Sequence, residues 1–84
     1  MKLIIRFLPG ESVAIADIKF TIEFSPPSLT RDGEPSIPIT DEGARVLPGV
    51  MVYLATRQHP GFLALAFEAP PDVVIVRQVC GDVL

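Results

Sequence analysis

The sequence predicts one mainly β domain over residues 1–84, a small antiparallel sheet or barrel-like meander of about five to six short strands. Three observations predict it. The 84 residues are enough for one domain, and 49% of them are hydrophobic, as in a folded chain. Nine prolines in this length exclude long helices. Apolar and polar residues alternate along several short runs, which is the pattern of half-buried strands.

The N-terminal third contains two predicted strands. Residues 2–8 place apolar side chains at every second position, and a Pro-Gly turn signal follows them. Residues 17–24 alternate strictly between apolar and polar side chains, and residues 13–16 are expected to extend this strand backwards. An antiparallel pairing with Ile5 opposite Phe20 matches apolar residues on one face and opposite charges on the other. We therefore expect these two strands to form a hairpin.

Residues 25–49 form a long Pro-rich connection that contains five of the nine prolines. A short strand at residues 36–39, or short 3-10 or helical turns such as one at residues 41–45, are the structures expected there. A connection of this length is uncommon in a compact domain unless it is ordered or functional. Two interpretations stay open: its own apolar residues order it against the sheet, or it is the functional loop.

The last third predicts a three-strand meander over residues 50–57, 62–68 and 73–79, with turns between them. If both hairpins close symmetrically, one face is wholly apolar and belongs to the core; it comprises Val52, Leu54, Leu65, Phe67, Val74 and Val76. The opposite face carries Met51, Tyr53, Ala55, Ala64, Ala66, Val73 and Ile75, with Arg57, Glu68 and Arg77 towards its edges.

This second face is neither clearly polar nor fully apolar, whereas a sheet with one wet face should alternate cleanly. We therefore expect something to cover it. The candidates are the Pro-rich connection, a second copy of the chain, or a different protein.

The residues that carry most site chemistry are scarce. His59 is the only histidine and lies in a predicted turn, and Cys80 is the only cysteine and has no base beside it in sequence. One His and one Cys cannot form a structural zinc site within one chain. No phosphate-binding or nucleophile-elbow motif is present. We expect no enzyme activity, no catalytic residue, no metal and no cofactor.

Charge and hydropathy narrow the partner classes. The formal net charge is −3 and the seven Lys and Arg residues are scattered, which disfavours general nucleic-acid binding. No apolar run has the length of a membrane span. A lone cysteine makes a cytoplasmic location the default expectation. The expected partner is a protein or a second copy of the chain.

The leading functional hypothesis is a non-catalytic protein-interaction module, with the second meander face and an acidic loop as its docking surface. The candidate partner-binding residues are Met51, Tyr53, Arg57, Phe62, Glu68, Ile75, Arg77, Asp32, Glu34, Asp41 and Glu42. The four acidic loop residues lack the ligand spacing of an EF-hand, so we interpret them as solvent-exposed rather than as a calcium site.

Small size and acidity suggest, by analogy alone, an inhibitor or adaptor such as a phage-type anti-defence or anti-CRISPR protein. One alternative is a small barrel that binds a ligand or a single-stranded nucleic acid. Single strands need exposed aromatic side chains flanked by Lys or Arg, and Tyr53 and Phe62 are the candidates. A structural subunit of a homo-oligomer or a phage particle is the third hypothesis.

Overall fold

The computed structural model describes residues 2–78, and this part of the chain is mainly β, as predicted. Its nine strands form two antiparallel sheets of four and five strands. In chain order they are β1 (Lys2–Phe7), β2 (Ser12–Ile15), β3 (Ile18–Phe24), β4 (Pro27–Thr30), β5 (Ile37–Pro38), β6 (Ala44–Leu47), β7 (Val50–Leu54), β8 (Leu63–Glu68) and β9 (Ile75–Gln78). The count exceeds the five or six expected, chiefly because residues 25–49 contribute three strands.

The four-stranded sheet has the order β1-β8-β7-β6. The predicted hairpin between β7 and β8 is confirmed, with Val52 opposite Phe67 and Leu54 opposite Leu65. The predicted pairing of β1 with β3 is wrong, since β1 pairs with β8 and places Ile5 opposite Leu65. The apolar face of β1 is satisfied equally well by β8, and alternation within a strand cannot distinguish the two partners.

The five-stranded sheet has the order β5-β4-β3-β2-β9. Residues 13–16 do not extend β3, because the chain reverses through a two-residue turn at Ala16 and Asp17 and β2 pairs back onto β3. Both turn residues have positive φ, 51° and 68°, which is the geometry of a type I′ hairpin turn. Such turns favour Asn and Gly. Because neither residue is present at these two positions, the turn could not be predicted from the sequence.

Strand β9 corrects the predicted meander. It pairs with β2, not with β8, and its neighbours therefore come from the other sheet. Val74 and Val76, predicted in the core, are 64% and 49% exposed, whereas Val73 and Ile75 pack against the core. The amide of Ala16 donates to the carbonyl of Val74 at 2.9 Å where the chain crosses over. Residue 79, predicted as the end of this strand, lies outside the described residues.

The Pro-rich connection is ordered by its apolar side chains. Leu29, Ile39 and Val46 are buried in the core, and β5 falls within the strand expected at residues 36–39. At residues 41–45, where a helical turn was one expectation, the amide of Gly43 donates to the carbonyl of Thr40 at 3.1 Å. This tight turn leads directly into β6.

One hydrophobic core lies between the two sheets and takes side chains from both. Its largest fully buried members are Phe7, Phe20, Phe67, Ile15, Leu29 and Leu65. The rings of Phe7 and Phe67 meet edge to face with centroids 6.2 Å apart. Residues 2–78 contain no helix of the length and apolarity that a membrane crossing requires.

Candidate binding face

The outer face of the four-stranded sheet carries a shallow groove with an alanine floor. Strand register places Ile4, Ala66 and Tyr53 side by side in one row, and Arg6 beside Ala64 in the next. Ala64 and Ala66 are only 2% and 4% exposed although they face outwards. Larger neighbouring side chains stand on both sides of these two alanines, and the groove between them has a volume of about 450 Å³.

The rim of this groove is rich in cations. Lys2, Arg6 and Arg57 line it, and Asp41 is its one acidic lining residue among those described. Ile4 stands between Lys2 and Arg6 on the same face of β1 and is 61% exposed. The groove therefore combines an apolar strip with positive ends.

The Tyr53 side chain closes one side of the groove and lies across the turn at Gly43. A Cβ atom at Gly43 would collide with the Tyr53 ring, and Gly43 also has a φ of +93°. The Tyr53 hydroxyl donates to Oε1 of Glu68 at 3.3 Å. Desolvation and then the neighbouring Glu68 carboxylate raise the pKa of the Tyr53 phenol above its ordinary value. The contacts with Gly43 and Glu68 hold the Tyr53 ring at this side of the groove.

A second pocket of about 540 Å³ adjoins the groove and shares Arg6 with it. Its other lining residues are His59, Phe62 and Arg77. The amide of Phe62 donates to the carbonyl of His59 at 3.2 Å, with Pro60 and a positive-φ Gly61 between them, as in a type II turn. This turn presents Phe62 at the surface, where it is 42% exposed.

Arg77 reaches this pocket from the other sheet. It lies on β9 opposite Val13, and its Nη1 donates to the carbonyl oxygen of Arg6 at 3.1 Å. The hydrogen bond links β9 to β1 and fixes two guanidinium-bearing residues at one corner of the molecule. Since β9 joins the five-stranded sheet, the prediction that Arg77 and Tyr53 share one face of a three-strand meander is wrong.

The two pockets together form a surface that we call the cationic face, defined by Lys2, Arg6, Tyr53, Arg57, His59, Phe62 and Arg77. It holds four of the seven Lys and Arg residues of the chain. Of the ten acidic residues, Asp41 lines the groove and Glu68 accepts the Tyr53 hydrogen bond. The positive charge that looks scattered in the sequence is concentrated by the fold.

The remaining predicted site residues lie elsewhere. Asp32 and Glu34 line a pocket of about 410 Å³ against the five-stranded sheet, beside Lys19 and Arg31. Ile75 is half-buried against the core. The acidic loop is thus divided: two of its residues border another pocket, and Asp41 borders the groove.

Two predicted residues, Glu42 and Met51, are not among the lining residues of the groove. The exposed Glu42 directs its amide to Oγ1 of Thr40 at 3.3 Å. Met51 lies on the same face as Tyr53, opposite Glu68, and is half-buried.

Sequence reasoning missed the contribution of β1. Lys2, Ile4 and Arg6 occupy every second position, so the period of a strand already placed them on one face. It also missed Gln58, for which the sequence carries no signal. Residues 2–78 contain no group of three metal-ligating side chains, and Cys80 lies outside the described residues.

No protein-family model, curated protein or solved structure matches this chain.

Proposed function

We propose that the chain is a non-catalytic binding module that holds a single-stranded nucleic acid on the cationic face. The observation that carries the proposal is the second pocket, where an exposed aromatic ring, Phe62, is surrounded by Arg6, His59 and Arg77. Proteins that bind single strands combine a cationic path for the phosphates with aromatic rings on which bases stack.

The geometry supplies both parts over a continuous surface. Arg6 belongs to both pockets, so cations extend from Arg77 through Arg6 to Lys2 and Arg57. Tyr53 lines the groove and Phe62 lines the second pocket, so each pocket has an aromatic ring. Both aromatic residues are those that the sequence nominated for this alternative, and the fold supplies each with the flanking cations that stacking sites need.

The net charge of −3 argues against this proposal, and the local charge argues for it. Electrostatic attraction at a contact is dominated by charges within about one Debye length, roughly 8 Å at physiological salt. Acidic residues farther than this from Arg6 are largely screened from a strand bound there, whereas Asp41 and Glu68 border the face itself and oppose binding. The sequence-based expectation that the chain does not bind nucleic acid considered the charge of the whole chain. A binding measurement decides between the net-charge argument and the local-charge argument.

The test is fluorescence anisotropy with a labelled RNA of about 12 nucleotides, within the usual range of site sizes. Four phosphate contacts predict a slope of log affinity against log salt of about −3, at roughly −0.7 per contact for single strands. Arg6→Glu should weaken binding about tenfold or more, because like charges placed together cost several kcal/mol and about 1.4 kcal/mol is already tenfold.

Lys19→Glu is the matched control, since it changes the net charge equally but lies on the exposed face of the other sheet. It should change the affinity less than about twofold, as expected for a distant screened charge. No binding by the wild type at ~0.05 M salt, or equal losses in both variants, would overturn the proposal. If poly-glutamate displaces all of the bound RNA, the site is better explained as one for an acidic protein partner.

The second candidate is the protein-interaction module, and the alanine floor of the groove favours it. Small residues allow another backbone to approach closely, and Ile4 and Tyr53 beside them supply apolar contact area of the kind found at interfaces. A protein partner or a second copy would dock over this floor. The inhibitor role, including a phage-type or anti-CRISPR role, belongs to this candidate on size and charge alone. Both candidates propose a cytoplasmic protein.

A further inference from the structure

The β7–β8 hairpin opens where it meets the cationic face, and one side chain fills the opening. The amide of Ala55 donates to the carbonyl of Ala64 at 3.1 Å, as in an ordinary antiparallel pair. The return bond of such a pair would run from the amide of Ala64 to the carbonyl of Ala55. The Gln58 side chain takes its place: the amide of Ala64 donates to Gln58 Oε1 at 2.9 Å.

The same side chain completes the bridge from its nitrogen. Gln58 Nε2 donates to the carbonyl of Ala55 at 2.8 Å and to the carbonyl of Ala64 at 2.9 Å. The side-chain amide thus acts as an additional peptide unit between two strands. Three hydrogen bonds from one side chain fix the position of the backbone at Gln58 between the strand ends.

The residues on either side of Gln58 belong to different pockets. Arg57 lines the alanine-floored groove, and His59 and Phe62 line the second pocket. The loop therefore has to pass between the two pockets at Gln58, beside Arg6, which both pockets share. A loop anchored only at its ends would leave Arg57 and Phe62 free to adopt many positions, and ordering them on binding would cost entropy.

We infer that Gln58 is the positioning residue of the cationic face. Its side chain holds the splayed hairpin so that Arg57 and the turn carrying Phe62 face the ligand on opposite sides of Arg6. This inference rests on the proposed function, because it assigns Gln58 a role in presenting that binding surface. Gln58 acts through Arg57 and Phe62 and not by contact with the ligand.

The test is a thermodynamic cycle in the full chain with a labelled RNA of about 12 nucleotides. Gln58→Ala should weaken binding about threefold to tenfold and reduce the salt slope by about 0.7, the contribution of one phosphate contact with a single strand. In an Arg57→Ala/Phe62→Ala background the same change should have no further effect, because its targets are gone. The matched control is Gln78→Ala, at the only other glutamine, whose side chain accepts a long 3.5 Å bond from Ser12.

A second variant at the same position controls for the possibility that Gln58→Ala weakens binding by destabilising the fold. Gln58→Glu keeps an acceptor for the Ala64 amide and removes only the two donated bonds, and Gln78→Glu introduces the same charge at the control position. NMR relaxation without ligand should show residues 56–62 becoming mobile in both Gln58 variants, while β7 and β8 stay rigid. Each glutamate variant should bind less tightly than the wild type, and Gln58→Glu should lose more than Gln78→Glu.

Three results would overturn the inference. The first is that Gln58→Ala binds RNA as tightly as the wild type, and the second is that residues 56–62 stay rigid in this variant. The third is that Gln58→Ala still weakens binding in the Arg57→Ala/Phe62→Ala background, which would mean that Gln58 contacts the ligand directly or that its loss destabilises the fold. If the wild type binds RNA and Gln58→Ala binds equally well, only the inference about Gln58 is wrong. If the wild type does not bind RNA, the proposed function is wrong as well.

Discussion

The outer faces of the two sheets differ in how they meet solvent. The five-stranded sheet has exposed polar side chains along the outer face of β3, at Lys19, Thr21 and Glu23. The four-stranded sheet carries Ala64 and Ala66 as the floor of a groove, with Ile4 and Tyr53 beside them and cations at the rim. The first face is polar along β3, and the second has the composition of a contact surface. This difference is the reason why we propose a binding surface on the four-stranded sheet and not on the outer face of the other sheet.

The largest expected effect separates the two candidate functions on the contact surface. Ala66→Leu would fill the groove between Ile4 and Tyr53, and overpacking an interface costs about 2 kcal/mol, or roughly 30-fold in affinity. A docked protein partner should therefore be lost. RNA binding, which depends on the flanking cations and rings, should change less than about threefold, a difference of under 1 kcal/mol.

Thr21→Leu is the corresponding change on the other sheet, where Thr21 lies exposed opposite Thr30. Affinity capture from lysate followed by mass spectrometry, with anisotropy in parallel, measures both arms. If Thr21→Leu removes the same proteins as Ala66→Leu, the contrast between the faces is wrong for protein binding. If Ala66→Leu abolishes RNA binding, the nucleic acid occupies the floor itself.

A smaller effect concerns the turn that supports Tyr53. Gly43→Ala should lower the free energy of unfolding by about 2–3 kcal/mol, because a left-handed alanine costs roughly 1–2 kcal/mol and the Tyr53 ring must also move. Gly33→Ala, at a φ of +79° with nothing within 4 Å of a Cβ, should cost only the backbone part. Urea denaturation measures both variants. Equal losses of unfolding free energy in the two variants would show that a Cβ at position 43 does not have to displace the Tyr53 ring.

The smallest effect is electrostatic and spectroscopic. Tyr53 is the only tyrosine and tryptophan is absent, so phenolate absorbance reports this one side chain. Desolvation and Glu68 raise the pKa of the Tyr53 phenol, and Glu68→Gln should lower its titration midpoint towards the ordinary value of 10.0. Because the folded-state pKa is the higher one, this contribution to stability is present below the unfolded-state pKa and falls as pH rises through the folded-state pKa. An unchanged midpoint would remove Glu68 as a cause.

Local patterns predicted some elements well and others poorly, for identifiable reasons. Strand β3 and the β7–β8 hairpin were predictable because alternation and a turn signal coincide there. The reversal at Ala16 and Asp17 was not, because it uses positive φ at residues that rarely adopt it. The exposure of Val76 was not predictable either, since an apolar strand residue is compatible with either face until its partner is known.

The candidate site was predictable only in part. Tyr53, Phe62, Arg57 and Arg77 were nominated from the sequence, and all four border one surface, although in two pockets. Ile75, Asp32 and Glu34 lie away from it. Gln58 has no sequence signal, because its side-chain hydrogen bonds depend on where two neighbouring strands place the backbone of Ala55 and Ala64.

The sequence by itself determined the β class, the strand faces wherever polarity alternates, and the scarcity of histidine and cysteine. Only the tertiary structure decided that β9 joins β2 and that cations from β1, the 55–62 loop and β9 meet around Arg6. The physical reason is that a period of two fixes which side chains share a face within one strand. Which strands become neighbours depends on burying all apolar faces at once, and that choice brings distant charges together.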